Sequence, residues 1–72
     1  MRRLPSVTAR EVVAALERGG FHRLRQAGSH LQMRRGNRLV TVPMHPGTLS
    51  RAVLASMLRQ ARLGVEEFRR LL

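Results

Sequence analysis

Several residue types are missing from this 72-residue chain, and their absence limits the chemistry it can perform. There is no cysteine, so the chain can form neither a disulfide nor a catalytic thiolate. Aspartate is also absent, and the four glutamates (Glu11, Glu17, Glu66 and Glu67) all fall in predicted helices. Metal hydrolysis needs clustered carboxylates, histidines or thiolates, and a Ser-His-Asp triad needs its aspartate. We therefore expect neither a metal nor another cofactor.

Aromatic residues are equally scarce, which limits the ways in which the chain could bind nucleic acid. Tryptophan and tyrosine are absent, and both phenylalanines, Phe21 and Phe68, fall at positions typical of a core. Most single-strand-binding folds stack bases on exposed aromatic side chains. The composition disfavours that mode and favours recognition through phosphates and groove shape.

Positive charge is what the chain has in excess. All 14 basic residues are arginine, and with 4 acidic residues they give a net charge of +10. Guanidinium groups stay charged and fork onto phosphate oxygens, so the excess predicts a polyanionic partner, foremost nucleic acid, with an acidic protein as the second possibility. No segment approaches the roughly 20 apolar residues of a membrane span, so we expect a cytoplasmic protein with no membrane contact.

Hydrophobic periodicity and turn residues predict a single domain over residues 1–72, with the order α-β-β-β-α and a short terminal helix. Thr8 and Glu11 form a capping box for a helix over residues 8–18. Strands are expected over residues 21–26, 30–35 and 38–43, separated by turns at 27–29 and 36–37. A second helix begins near Ser50, and Gly64 separates it from the last helical turns.

This order indicates an α+β fold, in which helices cover one face of a three-stranded antiparallel sheet and leave the other face open. Along the second predicted strand, Leu31 and Met33 point to one side, whereas His30, Gln32 and Arg34 point to the other. The second group is therefore expected on the open face. A chain this short buries only about 60% of its unfolded surface, so a partner or weak self-association would help it fold.

The tripeptide Gly28-Ser29-His30 carries the main candidate for catalysis. RNA cleavage by the neighbouring 2′-hydroxyl needs one base, one acid and cations that stabilise the charged phosphorane, since the RNA itself supplies the nucleophile. A histidine can perform either proton transfer at neutral pH. His30 is therefore a candidate acid or base, and the alternative is a polar strand residue with no role.

The sequence allows more than one role for most of the other residues around His30. Gly28 allows unusual backbone geometry in the turn. Ser29 could take part in the chemistry or hydrogen-bond within its own turn. His45 could be a second acid or base, a phosphate contact or a loop histidine, and His22 is assigned a structural or solvated role. Phosphate contacts are expected from several arginines of the strands, namely Arg25, Arg34, Arg35 and Arg38.

Five segments, taken together, resemble the HicA (YcfA-like) mRNA interferase toxins over nearly the whole chain. They are Gly20-Phe21, Arg25-Gln26-Ala27-Gly28-Ser29-His30, Thr41-Val42-Pro43-Met44-His45 and Leu58-Arg59-Gln60-Ala61 with Glu67-Phe68. The resemblance implies a double-stranded-RNA-binding-domain-like fold, ribosome-independent cleavage of mRNA and neutralisation by a HicB-like antitoxin. It also assigns the family's catalytic histidine to His30 and the preceding serine and glycine to Ser29 and Gly28.

Three positions depart from the family pattern. The segment before the second helix is shortened to residues 46–49, the usual Gly-Thr at the start of that helix is Ala52-Val53, and its end, Gln60-Ala61-Arg62, lacks the usual glycine. These changes concern the second helix and its contacts with RNA or an antitoxin, and they leave His30 intact.

Three functions follow from these observations. The first is a ribonuclease toxin that uses His30, and the second is a non-catalytic RNA-binding module of the same fold. The third is a DNA-binding domain whose recognition helix would run from Arg51 to Arg62, a possibility that the central β-hairpin disfavours.

Overall fold

The elements follow one another in the order α-β-β-β-α-α, in a computed structural model that describes residues 3–72. They are α1 (Ala9–Arg18), β1 (His22–Ala27), β2 (His30–Arg35), β3 (Arg38–Pro43), α2 (Arg51–Ala61) and α3 (Val65–Leu71). The predicted α+β fold, similar to a double-stranded-RNA-binding domain, is confirmed. The domain predicted for residues 1–72 includes Met1 and Arg2, which lie outside the described residues.

The three strands form an antiparallel sheet in the order β1-β2-β3. Both hairpins close through two-residue loops, because Ala27 pairs with His30 and Arg35 pairs with Arg38. The first loop residue is Gly28 in one hairpin and Gly36 in the other, with φ of +59° and +60°. A positive φ at this position followed by an ordinary φ is the pattern of a type II′ turn, which favours glycine there.

The first strand is one residue displaced from its predicted bounds. It begins at His22 because the Phe21 amide donates to the Leu16 carbonyl at the end of α1, 2.9 Å away, and the Phe21 side chain is buried. At its other end the strand includes Ala27, so that the turn contains only Gly28 and Ser29. The prediction of a turn over residues 27–29 was therefore one residue too long.

The start of α1 confirms the predicted capping box. The Thr8 hydroxyl accepts a hydrogen bond from the Glu11 amide, and the Glu11 carboxylate accepts one from the Thr8 amide. Two amides that a helix cannot satisfy within itself are thereby bonded. The capped turn sits against the loop before α2, where the Leu49 amide donates to the Val7 carbonyl.

The core lies between the helices and one face of the sheet. Leu31 and Met33 of β2 and Val40 and Val42 of β3 are buried on this face, and Phe68 of α3 is completely buried in the same core cluster. Every residue of β1 is exposed, since that strand extends beyond the cover of the helices. The other sheet face is open to solvent, as predicted, and it carries the exposed side chains of His30 and Arg34.

Candidate active site

The β1–β2 turn and the end of β3 bring Ser29, His30 and His45 together at one end of the sheet. His30 is the first residue of β2 and pairs with Pro43, the last residue of β3. The next residue, Met44, donates its amide hydrogen to the Ser29 carbonyl. This bond extends the strand pairing beyond the sheet and fixes the chain on which His45 follows.

The rings of His30 and His45 lie close to each other and are tilted relative to one another. Their centroids are 6.5 Å apart, and their planes are inclined by 44°. Both side chains are exposed, so a ligand can reach the rings from solvent. Because a proton donor or acceptor works at about 2.6–3.2 Å, the gap suits one phosphate group held between the two rings.

The Ser29 hydroxyl lies next to His45 and not within its own turn. Its oxygen is 3.4 Å from Nε2 of His45, a long contact in which the donor depends on the imidazole tautomer. The turn is closed instead by the Gln26 side-chain amide, which donates to the Gly28 carbonyl. The hydroxyl is therefore placed to orient the His45 ring.

Two of the predicted phosphate contacts share the open sheet face with His30. Arg25 pairs with Gln32, two residues along β2 from His30, and Arg34 lies two residues further. The Arg25 side chain has no hydrogen bond to any of residues 3–72, whereas the Nε of Arg34 donates to the Gly36 carbonyl at 2.8 Å. Arg25 is thus the freer of the two guanidinium groups and the one nearer to the histidines.

The other two predicted contacts, Arg35 and Arg38, lie at the opposite end of the sheet. Five steps of about 3.3 Å along β2 place Arg35 ~17 Å from His30. Its guanidinium donates to the Gly19 carbonyl and lies over the Phe21 ring, and that of Arg38 donates to the Ala61 carbonyl. Both side chains brace helix ends, and their binding of RNA stays a prediction.

A groove beside helix α1 was not expected from the sequence. It consists of two adjoining hollows of about 480 and 430 Å³ that share Arg10 and Met44 as lining residues. The first hollow reaches His45, and the second reaches Arg23. Arg10 lies between the capping residues Thr8 and Glu11 and resembles any solvated helix arginine in sequence, so only the packing of β1 and β3 shows that it faces a groove.

The sequence of this chain matches a known protein family over most of its length. The sequence model described as the HicA toxin of bacterial toxin–antitoxin systems matches residues 9–63, from the start of α1 to just beyond α2. The chain belongs to the HicA toxin family. No match was found among curated proteins.

Membership of the HicA family implies a cognate antitoxin as the partner of this toxin. The open sheet face offers apolar as well as charged contacts to a partner, because Leu24 and Leu39 are 45% and 46% exposed on either side of Arg34. Leu39 lies on the open face because it alternates along β3 with the buried Val40 and Val42, and it pairs with Arg34. Leu24 is exposed because the pairing of β1 with β2 shifts register between Arg23 and Arg25.

Two further findings concern the whole described part of this HicA-family chain. Within residues 3–72, no three histidine or acidic side chains are grouped so that they could hold a metal ion. None of the helices in this range is both long enough and apolar enough to cross a membrane.

Proposed function

We propose that this HicA-family toxin is a metal-independent endoribonuclease that cleaves mRNA, with His30 as a general acid or base. The proposal rests on the placement of His30 and His45, whose ring centroids are 6.5 Å apart. Both histidines are exposed at one end of a sheet whose open face carries arginine. Membership of a toxin family supports a damaging activity, and the charge of +10 supports a polyanionic substrate.

The cleavage step divides between the two histidines. One imidazole takes the proton from the 2′-hydroxyl, and the resulting oxygen attacks the adjacent phosphorus. The bond from phosphorus to the 5′-oxygen then breaks, and the other imidazole gives that oxygen its proton. The products are a 2′,3′-cyclic phosphate and a free 5′-hydroxyl, so the reaction consumes no metal, redox group or protein nucleophile.

The surrounding residues have supporting roles in this proposal. Arg25 and Arg34 bind phosphates along the open face and stabilise the charge that develops on the phosphorane. Ser29 holds the His45 ring through its contact of 3.4 Å, and Gly28 provides the positive φ that the turn requires. The toxin would act in the cytoplasm, where mRNA is present, and a HicB-like antitoxin of acidic character would neutralise it.

The test compares wild type, His30→Ala and His22→Ala on a defined RNA in the presence of EDTA. His22 is the matched control, because it is also an exposed histidine of the sheet but begins β1, where it pairs with Arg34 at a distance from the turn. Loss of one acid or base is expected to lower the cleavage rate by about 10²- to 10⁴-fold in His30→Ala and to leave His22→Ala unchanged.

The chemistry of the products provides an independent check. A single 2′-deoxy substitution at the mapped cleavage position should abolish scission, because it removes the nucleophile, while binding persists. Equal cleavage by wild type and His30→Ala would contradict the proposal. RNA that is bound by wild type but never cut would identify the protein as a non-catalytic RNA-binding module.

A further inference from the structure

The groove beside α1 begins at His45, one of the two proposed catalytic histidines, and runs along α1 to Arg23. We call it the α1 groove, bounded by Arg10, Arg23, Met44 and His45. Arg23 pairs with the buried Met33, so its side chain lies on the helix side of the sheet, opposite to Arg25 and Arg34. An RNA strand whose phosphate lies between His30 and His45 can therefore leave the open face around the end of the sheet and continue into this groove.

The lining of the α1 groove combines apolar side chains with two arginines, Arg10 and Arg23, and one carboxylate, Glu17. Val13, Ala14 and Met44 supply apolar surface of the kind against which a ribose or a base can pack. Each of the two hollows lies within the range of about 300–1,000 Å³ that is typical of small-ligand sites. The groove is thus wide enough for single nucleotide units, one after another.

Arg10 is the uncompensated charge of the α1 groove. Neither carboxylate of α1 pairs with Arg10: Glu11 accepts from the Thr8 amide, and Glu17 pairs with Arg23 at 3.4 Å within the groove. Arg10 is exposed and has no hydrogen bond or ion pair with any of residues 3–72 through its side chain.

We propose that the α1 groove is a substrate subsite, which binds the RNA backbone on one side of the scissile phosphate through Arg10. The inference rests on the proposed ribonuclease function and adds the path of the substrate. Met44 packs against the nucleotide next to the cleavage point, and Arg10 binds the phosphate that follows it. At the far end of the groove Glu17 and Arg23 pair with each other and leave no net charge for a further phosphate, so the subsite takes a short segment of one RNA strand.

The decisive measurement is the affinity of Arg10→Gln for an RNA that cannot be cut, with 2′-O-methyl groups at every position. The matched control is Arg59→Gln, which removes an equally exposed arginine without a side-chain partner from α2. Arg10→Gln should weaken binding about 10-fold and lower the slope of log K against log salt by about 0.7. The affinity of Arg59→Gln should stay within about twofold of wild type. Thermal melting of both variants checks that each remains folded.

Shortening the RNA from either end then tests the direction of the strand. The difference between wild type and Arg10→Gln should vanish when nucleotides are removed from one end and persist when they are removed from the other. Equal losses of RNA affinity in Arg10→Gln and Arg59→Gln would overturn the proposed subsite. The same conclusion would follow if the effect of Arg10→Gln did not depend on which end of the RNA is shortened. Because this RNA cannot be cut, a wild type that fails to cleave ordinary RNA refutes the proposed function and leaves the comparison of the two variants valid.

Discussion

His45 shows what a single residue gains from the fold. In the sequence it lies two positions after Pro43 and could be a catalytic group, a phosphate contact or a loop residue. The pairing of His30 with Pro43 and the bond from the Met44 amide to the Ser29 carbonyl place it beside His30. Sequence spacing alone does not determine this approach, because it depends on the register between β2 and β3.

Among residues 3–72, Arg62 is the one non-glycine residue with a positive φ, and the backbone is strained there. It ends α2 with φ of +57° and ψ of +41°, and its amide bonds back to the Leu58 and Arg59 carbonyls. This is the left-handed region in which a helix usually ends on glycine, and a side chain there costs roughly 1–2 kcal/mol. The HicA family usually has a glycine at this position, and Arg62 adopts the left-handed backbone conformation that the glycine would have.

Replacing Arg62 with glycine should therefore stabilise the protein. The relief of strain is partly offset by the greater freedom of glycine in the unfolded chain, so we expect a gain of about 1 kcal/mol, or roughly 4–8 °C in Tm. Thermal and urea unfolding would measure it. Arg62→Ala is the control, because it removes the same side chain but keeps the strain; a similar gain in that variant would mean that the charge and not the backbone is responsible.

At the scale of elements, the sequence predicted most of what positions the candidate site. The capping box, the two glycine turns and the alternation of β2 each have a local physical cause that composition and spacing show. The start of β1 could not be predicted in the same way, because Phe21 is held by the end of α1 and by burial in the core. The α1 groove was missed for a similar reason, since it forms only where β1, β3 and α1 meet.

Helix α3 contributes to the core although it lies beyond the residues that match the family model. It has seven residues, too few to be stable alone, and Phe68 anchors it with a completely buried side chain. The Arg18 guanidinium also donates to the Leu71 carbonyl at 2.6 Å and ties the end of α1 to the end of α3. The short terminal helix is thus a structural part of the domain.

Phe68→Ala should consequently destabilise the protein by about 3–5 kcal/mol, a large part of the 5–15 kcal/mol typical of a whole domain. Urea unfolding followed by circular dichroism would measure the change. Leu72→Ala provides the control, because Leu72 is 45% exposed and its truncation should stay within about 0.5 kcal/mol. A loss below about 1 kcal/mol for Phe68→Ala would show that α3 packs too loosely to support the core.

The distribution of charge over the whole molecule is more informative than its total. All four glutamates lie in α1 and α3, so the sheet, its turns and α2 carry arginine without any carboxylate of their own. The net charge of +10 is therefore concentrated away from these two helices. Such a field attracts RNA and raises the rate of encounter, and salt weakens it.

The salt dependence of RNA binding tests which surface carries this attraction. Each phosphate neutralised on a single strand contributes about 0.7 to the slope of log K against log salt, so Arg25→Gln combined with Arg34→Gln should lower the slope by about 1.4. The matched control combines Arg51→Gln with Arg59→Gln, which removes two exposed arginines of α2. A fluorescence titration at several salt concentrations gives both slopes. A different result would be that the α2 pair lowers the slope more than the sheet pair and that duplex DNA binds more tightly than RNA at the same salt. In that case α2 is the recognition element, and the proposal that the open face binds RNA for cleavage is wrong.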